Sequence, residues 1–178
     1  MHFTIAHDAR YLSTSVATLV VMVMVPLCCA ETTTVYLVRH AEKKTDTSDS
    51  DLTVAGQKRA KDLARTLRSV KLDVCISSQF KRTQQTATPA AKAANLTLVK
   101  RKAGQEAELA TEFKKDFVGK TILFVGHSDT VPTMLKNLGA KKVPSIGESD
   151  FDNLFLLRIR DDGVVIVTRL HYGEPNPR

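Results

Sequence analysis

The segment Thr34-Val35-Tyr36-Leu37-Val38-Arg39-His40 decides the fold of this chain. It is a short apolar run rich in β-forming residues, which predicts a buried central strand covered on both faces. Arg39 and His40 then emerge at the carboxyl end of that strand. Ligand crevices form at this end of the strands in open α/β sheets. An imidazole beside a permanent cation at such a position indicates chemistry on an anion.

A second strong strand, 121–125, ends at Gly126-His127 and repeats the pattern of the first. A shorter strand at 72–76 ends at Ser77-Ser78, and a weaker one is predicted at 96–99. Small and apolar residues at helical spacing predict the helices between these strands. These helices cover 53–70 with Thr53 as the cap, 80–94 with Pro89 expected to kink or divide it, 105–117, and 131–138.

The alternation of strands and helices predicts a three-layer α/β sandwich with a mostly parallel sheet. The runs 154–160 and 164–170 flank Asp161-Asp162-Gly163 and are typical of an antiparallel C-terminal hairpin at one edge of that sheet. The carboxyl ends of parallel strands share one edge. The residues that follow the three buried strands should therefore meet at one crevice.

Residues 1–30 have the features of a signal peptide. Arg10 gives a positively charged beginning, residues 16–27 are apolar, and Cys28-Cys29-Ala30 supplies small residues for cleavage after Ala30. Cleavage would leave one domain, residues 31–178, in the periplasm or secreted and without stable membrane insertion. The alternative is an uncleaved membrane anchor, because the apolar run is only slightly shorter than a span of about 20 residues.

The formal net charge is +7, and the basic residues are spread along the chain. A basic balance is compatible with nucleic acid, an anionic membrane or phosphorylated small molecules. The sequence has no recognition helix, no zinc-finger spacing and no aromatic residues interleaved with basic ones, so nucleic-acid binding is not predicted. Cys75 would be the one cysteine left after cleavage, and its apolar surroundings predict a small core residue rather than a nucleophile.

Phosphoryl transfer without a metal ion needs a nucleophile, cations for the equatorial oxygens and a proton for the leaving group. A neutral His40 is a competent nucleophile, and Arg39 beside it disfavours protonation of the ring. Arg82 lies in the first turn of the helix that follows Ser78. Its guanidinium and the helix dipole would both favour an anion there.

Four segments occur in the order and spacing of the histidine phosphatase superfamily, which this chain resembles in its compact branch. They are Val-Arg-His-Ala-Glu-Lys (38–43), Leu-Thr-Val-Ala-Gly (52–56), Ser-Ser-Gln-Phe-Lys-Arg-Thr-Gln-Gln-Thr-Ala (77–87) and Val-Gly-His-Ser (125–128). The resemblance implies a phosphoglycerate-mutase-like fold and a phosphatase for a small phosphorylated molecule or a phosphorylated peptide. It implies that His40 forms a phosphohistidine that water hydrolyses, while Arg39, Arg82 and His127 bind the phosphoryl group. It implies no metal and no organic cofactor.

The proton donor is the part of the pattern that the sequence leaves open. Glu106 and Glu108 lie where many members of the family place a catalytic glutamate, and each is equally compatible with an exposed helix position. Asp129, two residues after His127, is the alternative acid. Residues 43–47 stand where larger members carry an asparagine that touches the phosphate.

Three further residues are expected to have structural roles. His171 lies late in the last strand without a companion motif. Glu42 is expected to orient the loop after the first strand or to pair with a lysine. Ser78 could bind phosphate, although serines are also common in turns.

Two other functions stay open at this point. A non-catalytic phosphate-binding or interaction domain would keep the cationic cradle and lack an effective acid. A phosphohistidine phosphatase fits the size of the chain, but its usual protein substrates are cytoplasmic and conflict with the predicted leader. A mutase is the weaker expectation, because the short region between Val99 and Thr121 leaves little to hold and reorient an intermediate.

Overall fold

The computed structural model describes residues 31–45 and 47–176. The predicted signal peptide, residues 1–30, lies outside the described residues, so cleavage after Ala30 stays a prediction. Within the described part, none of the helices combines the length and the apolar character needed to cross a membrane.

Strands and helices alternate along the chain until a final hairpin. In order they are β1 (Thr33–Arg39), α1 (Val54–Thr66), β2 (Val74–Ser78), α2 (Lys81–Ala93), β3 (Leu98–Arg101), α3 (Glu106–Lys115), β4 (Thr121–Gly126), α4 (Thr130–Leu138), β5 (Asn153–Ile159) and β6 (Val165–His171). The strands form one sheet in the order β3-β2-β4-β1-β5-β6. The pairs β1–β4, β2–β4 and β2–β3 are parallel, whereas β1–β5 and β5–β6 are antiparallel. The predicted mostly parallel sheet with an antiparallel C-terminal hairpin is confirmed.

Helices cover both faces of the sheet, which gives the predicted three layers. Side chains alternate between the two faces along each strand. On β1, Val35 and Leu37 pack in the core that α3 and α4 complete, where Phe113 is fully buried. Val38 packs in the core on the other face, together with Leu63 of α1 and the alanines of α2.

The register of the parallel strands places their carboxyl ends level with one another. Val125 of β4 lies opposite Val38 of β1 on one side and opposite Ser77 of β2 on the other. The backbone continues this alignment past the strands, because His40 N donates to Gly126 O at 2.9 Å. The segments that carry the predicted site residues therefore begin at one edge of the sheet, as the sequence predicts.

Some element boundaries differ from the predicted ones. α1 ends at Thr66 rather than near residue 70, and β3 begins at Leu98 rather than at residue 96. Cys75 is fully buried in β2, and burial raises the pKa of its thiol to about 11. Its predicted position in the core is confirmed.

α2 is one continuous helix although Pro89 lies inside it. The predicted division of this helix at Pro89 is wrong. Proline removes one backbone donor from the helix. Ala87 and Ala90, on either side of it, are buried against the sheet, and this packing offsets the lost hydrogen bond.

Helix α1 makes a close approach to the loop after β1 at Gly56. Thr53 caps the helix as predicted, since its Oγ1 accepts from Gly56 N at 3.0 Å. The backbone N of Thr53 donates to Glu42 O at 2.9 Å. A β-carbon on Gly56 would overlap that same carbonyl oxygen. The glycine therefore lets the helix hold the loop that carries the first motif.

Gly56→Ala should destabilise the protein although alanine is the better helix former. In an open helix this change stabilises by about 1 kcal/mol. Here the added methyl meets the Glu42 carbonyl, so we expect the free energy of unfolding to fall by about 1–3 kcal/mol in chemical denaturation. Gln57→Ala, at the next and exposed position, is the matched control and should change it by less than about 0.5 kcal/mol. A stabilised Gly56→Ala variant would contradict the close approach.

Candidate active site

A cavity of about 720 Å³ opens at the carboxyl edge of the parallel strands. Its lining brings together most of the predicted site residues, which come from distant parts of the chain. They are Arg39, His40, Arg82, Glu106, His127 and Asp129. Glu108 does not line this cavity and is exposed on α3. The predicted convergence of the motifs at one crevice is therefore present in the structure.

His40 lies directly after β1 and is 4% exposed. Its Nδ1 is 2.7 Å from the carbonyl oxygen of Ala41. A carbonyl oxygen can only accept, so Nδ1 carries the hydrogen and the lone pair is on Nε2. Burial lowers the pKa of His40 to about 3, and His127 and Arg39 act in the same direction. At neutral pH the ring is uncharged, which is the form that can act as a nucleophile.

His127 follows β4 and faces His40 edge-on, with 5.4 Å between the ring centroids. Its Nε2 lies 2.9 Å from Ser78 Oγ, which in turn lies 2.7 Å from Thr83 Oγ1. This hydroxyl pair orients the second imidazole. Burial lowers the pKa of His127 to about 4, and the charge of Arg82 acts in the same direction. Ser78 does not line the cavity, so the structure gives it a role on the histidine.

Arg39 is held by the loop that follows α4. Its Nη1 donates to Gly147 O at 2.6 Å and to Glu148 O at 2.8 Å, and its guanidinium stacks on the ring of Phe151 at 4.4 Å. With Nη1 engaged, the opposite edge of the guanidinium is the one available to a ligand. On that edge Nε is buried and has no hydrogen-bond partner.

Arg82 lies in the first turn of α2, and its guanidinium is held by the same kinds of contact as that of Arg39. Its Nη1 donates to Ser48 O at 3.2 Å, its guanidinium lies 4.3 Å from the ring centroid of Phe80, and its Nε is buried without a partner. Among the described residues, four buried side-chain polar atoms lack a partner, and two of them are the Nε atoms of Arg39 and Arg82. Buried donors are rarely left unpaired. Two such donors on one cavity indicate a site for an anion.

The predicted acids occupy different environments. Glu106, at the start of α3, is 8% exposed, and its Oε1 accepts from Gly104 N at 3.0 Å. Asp129 caps α4 by accepting from Thr130 N at 2.8 Å, and it is exposed. Glu108 faces solvent outside the cavity, so Glu106 and Asp129 are the predicted acids that line it.

The loop after β1 is held by a buried arginine. Glu42 pairs with Arg59 at 2.8 Å, which agrees with its expected role in orienting the loop. The alternative, a pairing with a lysine, is wrong. The Nη1 of Arg59 also donates to the carbonyl oxygens of Tyr172 and Glu174 at 3.1 and 2.9 Å. A guanidinium has enough N–H donors in one plane to bind all three acceptors. A lysine ammonium does not present its donors in one plane. His171 is exposed and pairs with a neighbouring aspartate, in agreement with its predicted structural role.

The segment after β6 also holds the loop that grips Arg39. The Oδ1 of Asn176 accepts from Phe151 N at 2.9 Å and from Asp152 N at 3.3 Å. Its Nδ2 donates to Asp152 Oδ1 at 2.6 Å and lies 3.4 Å from Asp150 Oδ1. These contacts fix the position of Phe151 beneath the Arg39 guanidinium.

Glu148, Phe151 and Lys43 are among the residues at the site that were not predicted. Glu148 lines the cavity and Phe151 supports Arg39, yet both belong to a loop without a motif, and Glu148 is 109 positions from Arg39 in the chain. No sequence signal could have found them. Lys43 also lines the cavity, and its place three residues after His40 was a usable signal.

Sequence comparisons found one matching family model and no matching individual protein. A family model described as the histidine phosphatase superfamily (branch 1) matches residues 35–111, which run from β1 into α3 and include Arg39, His40, Arg82 and Glu106. No curated protein matches the chain.

Solved structures with the same fold match this chain over nearly their whole length. The protein histidine phosphatase SixA complexed with tungstate is 17% identical, with a TM-score of 0.63, and the match covers 78% of this chain and 96% of that one. A phosphoserine phosphatase from Entamoeba histolytica is 16% identical, with a TM-score of 0.61 and coverage of 80% and 98%. A phosphoglycerate mutase from Bacillus anthracis is 16% identical, with a TM-score of 0.59 and coverage of 79% and 93%. At these identities the likeness shows the fold alone.

Acidification should destabilise the folded protein, because His40 and His127 are buried without charge. An unfolded histidine takes up a proton near pH 6.5, whereas the folded-state pKa values are about 3 and about 4. Between these limits the unfolded state binds more protons, so the free energy of unfolding falls as the pH falls. Chemical denaturation from about pH 7.5 down to about pH 4.5 measures this slope, to which each histidine contributes at most about 1.4 kcal/mol per pH unit.

The control for this slope is a histidine outside the cavity. His127→Asn should flatten the dependence, whereas His171→Asn, which changes the exposed histidine, should leave it as in the wild type. A slope that is the same in the wild type and in His127→Asn would show that His127 is not buried in its neutral form.

Proposed function

We propose that this protein is a metal-independent phosphatase. It hydrolyses phosphomonoesters of a small molecule or a phosphorylated peptide through a phosphohistidine on His40. The match of residues 35–111, which include three of the four motifs, to the histidine phosphatase superfamily supports this proposal. The phosphatases among the structures of the same fold support phosphatase activity in general. The signal-peptide features of residues 1–30 support a proposed action in the periplasm or outside the cell.

One observation carries this proposal. Arg39 and Arg82, each with a buried guanidinium Nε donor that lacks a partner, line the same cavity as two uncharged imidazoles. Paired donors of fixed charge match the equatorial oxygens of a phosphoryl group. The amino ends of α2 and α4 lie at the same edge of the sheet and favour the same charge. A neutral ligand would leave both of these Nε donors without a charged acceptor.

In the first step the substrate phosphoryl group binds between Arg39, Arg82 and His127. The lone pair of His40 Nε2 forms a bond to phosphorus, and the bond from phosphorus to the ester oxygen breaks. The departing alkoxide takes a proton from Glu106, with Asp129 as the alternative donor. The positive charge that this reaction needs comes from the two guanidinium groups, so no step is assigned to a metal ion.

In the second step a water molecule attacks the phosphohistidine. The N–P bond breaks, its electron pair returns to Nε2, and the water proton passes to the carboxylate that gave one up before. Inorganic phosphate leaves and His40 is again neutral. Only residues 102–105 connect β3 to α3, so the described chain has no insertion there that would cover the cavity, and this favours hydrolysis over transfer within a held intermediate.

His40→Ala should abolish turnover, because no other group on the cavity replaces the nucleophile. We expect a fall in kcat/KM of at least about a thousandfold on an activated aryl phosphate, with His171→Ala unchanged as the control. In the wild type, rapid acid-free quenching and mass spectrometry should find an acid-labile phosphate on His40. A wild type that binds phosphate but neither turns over nor forms this adduct would favour the non-catalytic phosphate-binding domain.

Glu106→Gln should lower activity mainly on esters with poor leaving groups. General acid catalysis is worth about a hundred- to ten-thousandfold when the alkoxide must be protonated, and little for an aryl phosphate. Measuring kcat/KM on one alkyl and one aryl phosphate gives the contrast. Glu108→Gln, on the same helix but outside the cavity, is the matched control. A leaving-group effect in Asp129→Asn and none in Glu106→Gln would reassign the acid to Asp129.

A further inference from the structure

Glu148 places a carboxylate at the cavity, against the arginine that binds phosphate in the proposed function. Its Oε2 lies 3.4 Å from Arg39 Nη2, and its side chain is 94% exposed. Its backbone oxygen accepts from Arg39 Nη1 at 2.8 Å. The backbone of Glu148 is thus fixed to Arg39 while its side chain is free to swing. The fixed backbone keeps the carboxylate within reach of the Arg39 guanidinium.

The turn that carries Glu148 is itself held at both ends. Gly147 N donates to Asp150 Oδ2 at 2.9 Å, and Asp150 N donates to Gly147 O at 3.1 Å. Asn176 binds the residues that follow this turn. These hydrogen bonds therefore fix the position of the Glu148 backbone in the cavity wall.

Charges around the cavity are balanced before a substrate enters. The basic side chains on its wall are Arg39, Lys43 and Arg82, and the carboxylates are Glu106, Asp129 and Glu148. Arg39 is 4% exposed with an unpartnered Nε, so it marks the place of the anionic part of a ligand. Once a phosphoryl dianion occupies the two arginines, the carboxylates surround the rest of the substrate. These carboxylates favour a positive charge on the alcohol part of the substrate and disfavour a second negative charge there.

We propose that Glu148 is a specificity-determining residue that selects phosphomonoesters whose alcohol part carries a positive charge near the ester oxygen, such as aminoalkyl phosphates. This inference rests on the proposed phosphatase function. The phosphoryl group displaces the Glu148 carboxylate from Arg39, because both anions need the same guanidinium edge. The displaced carboxylate then pairs with the ammonium group of the substrate. An uncharged alcohol leaves that carboxylate beside the phosphate dianion without a partner, and a carboxylated alcohol adds repulsion.

The test compares three small esters that differ in the charge of the alcohol. They are 2-aminoethyl phosphate, ethyl phosphate and carboxymethyl phosphate, assayed for kcat/KM on the wild type and on Glu148→Gln. The ratio between variants cancels the intrinsic reactivity of each ester. Glu148→Gln should lower the preference for the aminoethyl over the ethyl ester about fivefold and raise kcat/KM for the carboxymethyl ester by a similar factor, the size expected for an exposed charge pair.

Two control variants separate this effect from a general loss of charge. Asp161→Asn removes one negative charge from the exposed turn between β5 and β6, and it should keep the wild-type preferences. Glu148→Asp keeps the charge and should keep most of the preference. Equal ratios in the wild type and Glu148→Gln, with all three esters hydrolysed, would overturn the inference and leave the proposed function standing. A wild type that hydrolyses an activated aryl phosphate but none of the three esters would overturn the inference alone, and one that hydrolyses neither would overturn the proposed function itself.

Discussion

The parallel pairing of β1 with β4 is the constraint on which the site depends. It sets Val38 opposite Val125 and continues through the hydrogen bond from His40 N to Gly126 O. The two histidines that follow these strands are thereby held at 5.4 Å between ring centroids. A slip of one residue would turn Val38 toward the wrong core and move every side chain of β1 to the other face. The apolar pattern that fixes the core therefore also fixes the geometry of the two imidazoles.

Burial has opposite consequences for His40 and Arg39, the two neighbouring residues of the first motif. It keeps His40 uncharged, which the proposed nucleophile requires. For Arg39 it is a cost, because a charged guanidinium loses its hydration and one of its donors finds no partner. Carbonyl oxygens of the 147–148 turn and the ring of Phe151 offset part of this cost. A bound phosphoryl group would offset the remainder, so affinity for the anion is built into the folded state.

Sequence was sufficient where structure follows from neighbouring residues. The strand that ends in Arg39-His40, the cap at Thr53 and the core position of Cys75 each follow from local patterns of apolar and polar residues. Sequence was not sufficient for contacts between distant segments. The strand order, the pairing of Glu42 with Arg59 and the place of Glu148 depend on how the loops close, and no local pattern encodes them. Pro89 shows the remaining difficulty, since tertiary packing there prevails over a helix breaker.

The chain after β6 contributes to the site from a distance. Arg59 joins the backbone at Tyr172 and Glu174 to the loop that follows His40, and Asn176 secures the loop beneath Arg39. Ribosomes make this segment long after the first motif, and a domain folds as a unit. His40, the proposed nucleophile, is therefore synthesised early, whereas the loop that holds Arg39 is secured only when residue 176 has been added. The growing polypeptide would thus carry residue 40 as an ordinary, unburied histidine, without a finished phosphate pocket, for most of its synthesis.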